Sequence, residues 1–173
     1  MKYGFYAIAG IVLILFQTTI CPCLPFYFFC YDLLLPLVIF VGIYRSPREG
    51  ALGVLVLGFL MDQLSGAPFG LYTTTYLWLF LAVSLVRRFV HAKNIFFLVM
   101  ISAAGVLLEN ALMLISVILQ VTEYRMPGSI FNAIVWQTAV AAATAPLMIS
   151  GFEYLSGKWN KWLAGRFFGE REC

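Results

Sequence analysis

Long uncharged apolar runs, separated by short polar knots rich in glycine and proline, organise the whole chain. A bilayer-spanning helix needs about 20 mostly apolar residues, so a chain of this length accommodates about six of them and no soluble domain. The pattern predicts spans at about 4–20, 26–44, 50–64, 70–86, 94–121 and 129–152, followed by a basic and aromatic tail over 157–173. Each boundary has a local cause. Cys21-Pro22-Cys23-Leu24-Pro25 cannot continue a regular helix. Arg45-Ser46-Pro47-Arg48-Glu49, the segment from Asp62 to Gly70, Arg87-Arg88, and Thr122 to Gly128 end the next four runs. The expected architecture is an all-α, polytopic helical bundle forming one integral membrane domain over 1–173.

Composition supports lipid as the solvent. The chain is 62% hydrophobic and 11% charged, against roughly 45–50% and about 25% for soluble domains. A soluble globule of this size could not hide that much apolar surface. The net charge of +3 comes from short Lys and Arg clusters, which act as topology signals and not as a nucleic-acid surface. With both termini cytoplasmic, Lys2, Arg45, Arg48, Arg87, Arg88, Lys93, Lys158, Lys161, Arg166 and Arg171 all fall inside, leaving only Arg125 outside. An odd number of spans would place one of these clusters outside. Lys2 and the run after it resemble the start of a signal peptide, but no small-residue cleavage site follows. Gln17-Thr18-Thr19-Ile20-Cys21 also lacks the small residue that precedes a lipidated cysteine, so the run is expected to remain as the first helix.

Ionisable groups inside the apolar runs are the candidates for function, since each costs about 2.5–3.5 kcal/mol in hydrocarbon and must face protein or water. They are Asp32, Asp62 and Glu109, the last followed by Asn110. Each either ties helices together through neighbouring hydroxyls and amides or takes part in binding a ligand, ion or partner. At a rise of 1.5 Å per residue from Gly50, Asp62 lies roughly 18 Å deep, so the break that follows it falls in the outer leaflet. Backbone freed from a helix at that depth must be satisfied by protein or line a cavity. Gly66 and Gly70 permit close backbone approach, and Asp62 and Ser65 can cap the broken ends. Gly50-x-x-Gly53, Gly53-x-x-x-x-Gly58 and Ala141-Ala142-Ala143 are spacings for close helix packing.

Catalytic chemistry is poorly supplied, and no enzyme activity, cofactor or metal site is expected. His91, the sole histidine, sits with Arg87-Arg88 at the cytoplasmic boundary. Ser65 lacks a base at matching depth, an Asp32–Asp62 aspartyl pair has no supporting motif, and Walker A, HExxH and dinucleotide-binding sequences are missing. Cys21, Cys23 and Cys30 fall at the outer end of the first hairpin, as buried thiols or one disulfide, while Cys173 is cytoplasmic. In the tail, Trp159, Trp162, Leu163 and Phe167 recur at helical spacing with Lys158 and Lys161 on another face. This is the pattern of an interfacial helix, an anchor on anionic lipid or a docking site for a cytoplasmic partner.

Three segments together resemble the MreD family of bacterial rod shape-determining proteins: Tyr31-Asp32-Leu33-Leu34-Leu35-Pro36, Arg45-Ser46-Pro47-Arg48-Glu49-Gly50, and Gly58 to Leu71 with its Ser65-Gly66-x-Pro68-x-Gly70 run. The resemblance implies a non-enzymatic inner-membrane subunit of the cell-elongation machinery. Its implied partners are the bitopic protein MreC and, in a larger assembly, MreB, RodA and a class B penicillin-binding protein. It also implies a fold similar to the substrate-binding S components of energy-coupling-factor vitamin transporters. That likeness supplies the alternative function, in which Asp32, Asp62 and Glu109, with Trp78 and Tyr72 to Tyr76, line a small-molecule pocket. In either case Asp32, Asp62, Ser65, Gly66, Pro68, Gly70 and Glu109 are the expected partner- or ligand-facing residues.

Overall fold

The computed structural model describes residues 3–20, 31–66, 68–87, 95–120 and 129–168. These residues form helices and no strand: α1 (Tyr3–Leu15, continued by a π-helical turn over Phe16–Ile20), α2 (Leu34–Tyr44), α3 (Pro47–Ser65), α4 (Leu71–Val86), α5 (Ile95–Gln120) and α6 (Ser129–Phe168). The cysteines at 21, 23, 30 and 173, together with Arg88, His91, Lys93 and Arg125, lie outside the described residues.

Local sequence sets the ends. Pro47 occupies the first turn of α3, where its missing N–H costs nothing, and Glu49 places an acid at the same end. The helix stops at Gly66, whose φ of +69° is left-handed, and α4 starts after Gly70 at φ +89°. Only glycine enters that region without strain, so the two together reverse the chain within five residues. The Asp62 to Gly70 segment is therefore the turn of an antiparallel helical hairpin.

Two boundaries differ from the sequence expectation. The second helix starts at Leu34 and not near residue 26, with Asp32 just ahead of it. Asp32 Oδ1 accepts the Leu34 N–H at 2.9 Å, which holds the chain in a turn at that point. The sixth helix runs without a break through 152 and 157 to Phe168, with Pro146 inside it. One glycine costs a helix only about 1 kcal/mol, so Gly157 does not end it. At 1.5 Å per residue the 40 residues of α6 extend about 60 Å, well beyond the roughly 30 Å hydrocarbon layer. The faces of Lys161, Trp162, Leu163 and Phe167 lie outside the described side chains.

At the centre is α2. It carries no polar side chain between Leu34 and Ile43, and every residue of that stretch is buried. A helix apolar all round must be enclosed, and α2 packs against α1, α3, α4, α5 and α6. Its neighbours contribute Val54, Leu57 and Met61 from α3, Tyr76, Leu79, Phe80 and Val83 from α4, and Val106, Ala141 and Ile149 from α5 and α6. The outer surface is apolar as well. Ile95–Leu119 and Phe131–Trp159 are long and apolar enough to cross a membrane, yet only 22% and 17% of those windows is buried. A core helix in water would be mostly buried, so this apolar surface faces outward. Tyr6–Thr19, Leu34–Tyr44 and Leu71–Val86 are shorter apolar helices.

The glycines of α3 divide by what they face. A Cβ at Gly58 would lie 2.7 Å from the Thr73 Cα, and one at Gly50 would meet the Phe80 ring at 2.6 Å, so both admit α4 at close range. Gly53 has open space beside it. Gly58→Val should therefore destabilise the protein by about 1–3 kcal/mol, the usual result of overpacking, while Gly53→Ala, with open space beside it, should stabilise it by up to about 1 kcal/mol. Thermal unfolding in mild detergent checks the contrast, and equal melting temperatures for the two variants would refute the close α3–α4 approach.

Candidate functional site

The first N–H groups of any helix lack an intrahelical acceptor. In α4 the cap position is Gly70, which has no side chain to offer. The acceptor comes from across the hairpin. Asp62, in the last turn of α3 and only 5% exposed, takes the Tyr72 N–H at 2.8 Å on Oδ1 and the Thr73 N–H at 3.2 Å on Oδ2. The Thr73 hydroxyl donates to Oδ2 at 2.6 Å. A carboxylate at a helix N-terminus is also favoured by the helix dipole. Across the same turn the Ser65 and Tyr72 side chains are hydrogen-bonded, the Leu71 N–H donates to the Pro68 carbonyl at 3.2 Å, and Phe69 folds back edge-on to Phe59, 5.9 Å between centroids.

Asp32 anchors the other end of the network. It is 2% exposed and receives the Tyr76 hydroxyl on Oδ2, the Leu34 N–H on Oδ1 and the Gln17 side-chain amide. Gln17 Oε1 in turn accepts the Leu33 N–H at 3.1 Å. The π turn at the end of α1 thus holds the start of α2, with α4 supplying Tyr76 from the other side. Beside Asp32, the Tyr31 hydroxyl donates to Thr144 Oγ1 of α6 at 2.6 Å, because the Thr144 proton is spent on the Val140 carbonyl at 2.8 Å. Glu109 of α5 lies within electrostatic reach of Asp32, Tyr72 and Tyr76. The next residue, Asn110, donates to Gln137 of α6 at 3.3 Å.

The structure therefore gathers Asp32, Glu109, Tyr72 and Tyr76 into one neighbourhood, with Asp62 and Ser65 meeting it through Tyr72. Asp32 and Asp62 engage different donors and do not form a proton-sharing pair. Both acids are turned inward onto backbone and hydroxyl donors. Gly66 and Phe69 are exposed on the turn itself, Phe69 to 72%, with Pro68 and Gly70 partly covered. Trp78 is 62% exposed, on the outside of α4. Among the described residues no group of His, Cys, Asp and Glu could hold a metal ion.

Two residues have partners that the sequence does not reveal. Tyr76 is expected only as part of the Tyr72 to Tyr76 stretch that could line a small-molecule pocket, whereas its hydroxyl is bonded to Asp32, as a phenol in an apolar helix needs a partner. Arg87 was counted only as a topology signal. Its Nη1 donates to the carbonyls of Gly42 (3.0 Å), Ile43 (3.0 Å) and Arg45 (2.5 Å), closing the C-terminal end of α2 with a cation.

A family model described as rod shape-determining protein MreD matches residues 3–157. No curated protein and no solved structure matches the chain.

Asp62→Ala leaves two backbone donors and a hydroxyl without their acceptor, and should cost about 1–3 kcal/mol or more. Asp62→Asn keeps one acceptor oxygen and should lose less. Tyr76→Phe strips a buried carboxylate of one donor, with a comparable loss. The order of melting temperatures in detergent tests this, and an Asp62→Ala protein as stable as the parent would exclude the capping role.

Proposed function

The chain belongs to the MreD family of rod shape-determining proteins, and on that premise we propose that it is a non-enzymatic, multi-pass subunit of the bacterial cell-elongation machinery. In this reading it crosses the inner membrane six times with both termini cytoplasmic, binds an MreC-like bitopic protein, and helps couple MreB, RodA and a class B penicillin-binding protein to peptidoglycan synthesis. The distribution of Lys and Arg supports the orientation. The shorter helices α2 and α4 fit the same topology because the donors at their N-terminal ends are bonded within the protein, to Asp32 and Asp62.

The observation that carries the partner proposal is the α3–α4 turn. It is braced from within by Asp62 and presents Phe69 and Gly66 at its surface. An aromatic side chain held exposed on a rigid turn is the form that interface anchors take. The inward bonding of Asp32 and Asp62 to protein donors favours this scaffold role over a vitamin pocket, whose polar groups must converge on a ligand.

The test is to tag the C-terminus, extract native membranes in mild detergent and identify the co-purifying proteins by mass spectrometry. MreC should be recovered together with the elongation synthase. Phe69→Ala and Gly66→Leu should reduce that recovery by about tenfold, the usual weight of an interface anchor, while Phe69→Ala keeps the parent melting temperature. A strain carrying either variant should lose rod shape. Recovery of transporter ATPases and a coupling subunit would overturn the proposal, as would normal shape with both variants.

A further inference from the structure

A cavity of about 430 Å³ lies between α1 and α3 and reaches the C-terminal end of α2, away from the acid network. Its walls include Ile11, Val41, Leu52, Val56 and Leu60, and Gly53 lies along it where a side chain would meet nothing within 4 Å. Large apolar side chains at its edges, Ile11, Leu52 and Val56, are exposed, so it opens onto the apolar outer surface. One end alone is charged. Arg45 and Glu49 line it there, and the Arg45 guanidinium is stacked over Tyr6, 4.6 Å from the ring centroid. Arg48 adds a second cation in the first turn of α3.

We propose that this groove binds a phospholipid of the cytoplasmic leaflet, with one acyl chain along Gly53 and Val56 and the phosphate at Arg45. The arrangement matches the ligand in polarity and in order: a long apolar slot, then a fixed guanidinium, which binds phosphate through paired N–H donors. Glu49 beside it suits the amine of a zwitterionic headgroup. The slot lies in the range of roughly 300–1,000 Å³ typical of ligand sites. The assignment of the leaflet rests on the orientation proposed above, in which the α2–α3 turn is cytoplasmic.

The experiment uses the full chain in nanodiscs of phosphatidylethanolamine and phosphatidylglycerol doped with a phospholipid that carries a photoactivatable acyl chain. In the parent protein, cross-links should concentrate on Ile11, Leu52 and Val56. Gly53→Leu, whose Cβ would meet nothing within 4 Å, extends into the slot and should cut that labelling about tenfold, the loss expected when two or three chain methylenes are displaced. Arg45→Gln should lower it several-fold, and Leu119→Phe, on the outer face of α5, should leave it unchanged. Labelling spread evenly over the exposed helices of the parent protein would overturn the proposal without any variant having to fold. So would undiminished labelling in Gly53→Leu. Wild-type recovery of MreC by Gly53→Leu with labelling lost would separate the lipid site from the partner proposal.

Discussion

A backbone N–H that ends in an apolar medium has no water to bond, and the hairpin between α3 and α4 depends on how that demand is met. Its answer is Asp62. The carboxylate reaches from the end of one helix to the start of the next, so the residue that serves α4 belongs to α3. That placement ties the two helices in register, since a shift of either would separate the acid from the Tyr72 and Thr73 amides. The close approach at Gly58 and Gly50 then follows along the hairpin, because α4 is already fixed at its origin.

The same solution recurs around α2. This helix has no polar side chain of its own between Leu34 and Ile43, and both its ends are closed by other helices. Gln17 and Tyr76 secure Asp32 at the start, and Arg87 gathers the last carbonyls at the finish. Two of these partners belong to α4, Tyr76 within it and Arg87 as its C-cap. A single helix, seated by Asp62, therefore sets the position of the most buried element at both ends. The acids and the cation work at opposite helix termini in the sense the dipole favours, acid at the N-terminal side and guanidinium at the C-terminal side.

Much of this is legible in the sequence. Apolar run length marks where the helices lie, and an acid before a Gly, Pro and Gly cluster marks a turn that needs capping, because few arrangements satisfy backbone at depth. What escaped is direction and partnership. Nothing in the sequence near Arg87 distinguishes a guanidinium that waits in the interface from one that bends over a neighbouring helix end. Likewise Tyr76 differs from Trp78 by two residues, yet one is fully buried on Asp32 and the other is mostly exposed, which depends on how α4 is rotated. The continuation of α6 past Gly157 was missed for a different reason: the hydropathy falls there while helix formation does not, and the two end at different residues.

The glycines on α3 show how one motif can serve opposite ends. Gly50 and Gly58 point toward α4 and are filled by Phe80 and the Thr73 backbone, whereas Gly53 points away into the slot beside α1. Residues 50 and 53 are neighbours on a helix surface, 100° per residue apart, so a turn of about 300° between them is enough to move from the packed edge to the open one. The helices on the packed side are joined by charged hydrogen bonds at both termini of α2. On the open side the Leu57 side chain of α3 seats against Gly10 of α1, and the polar tie of α1, Gln17, lies at its far end. Among the described residues no backbone hydrogen bond ties α1 to α3, so a slot can persist on that side, and there a third component can enter the bundle without breaking a bond that holds it together.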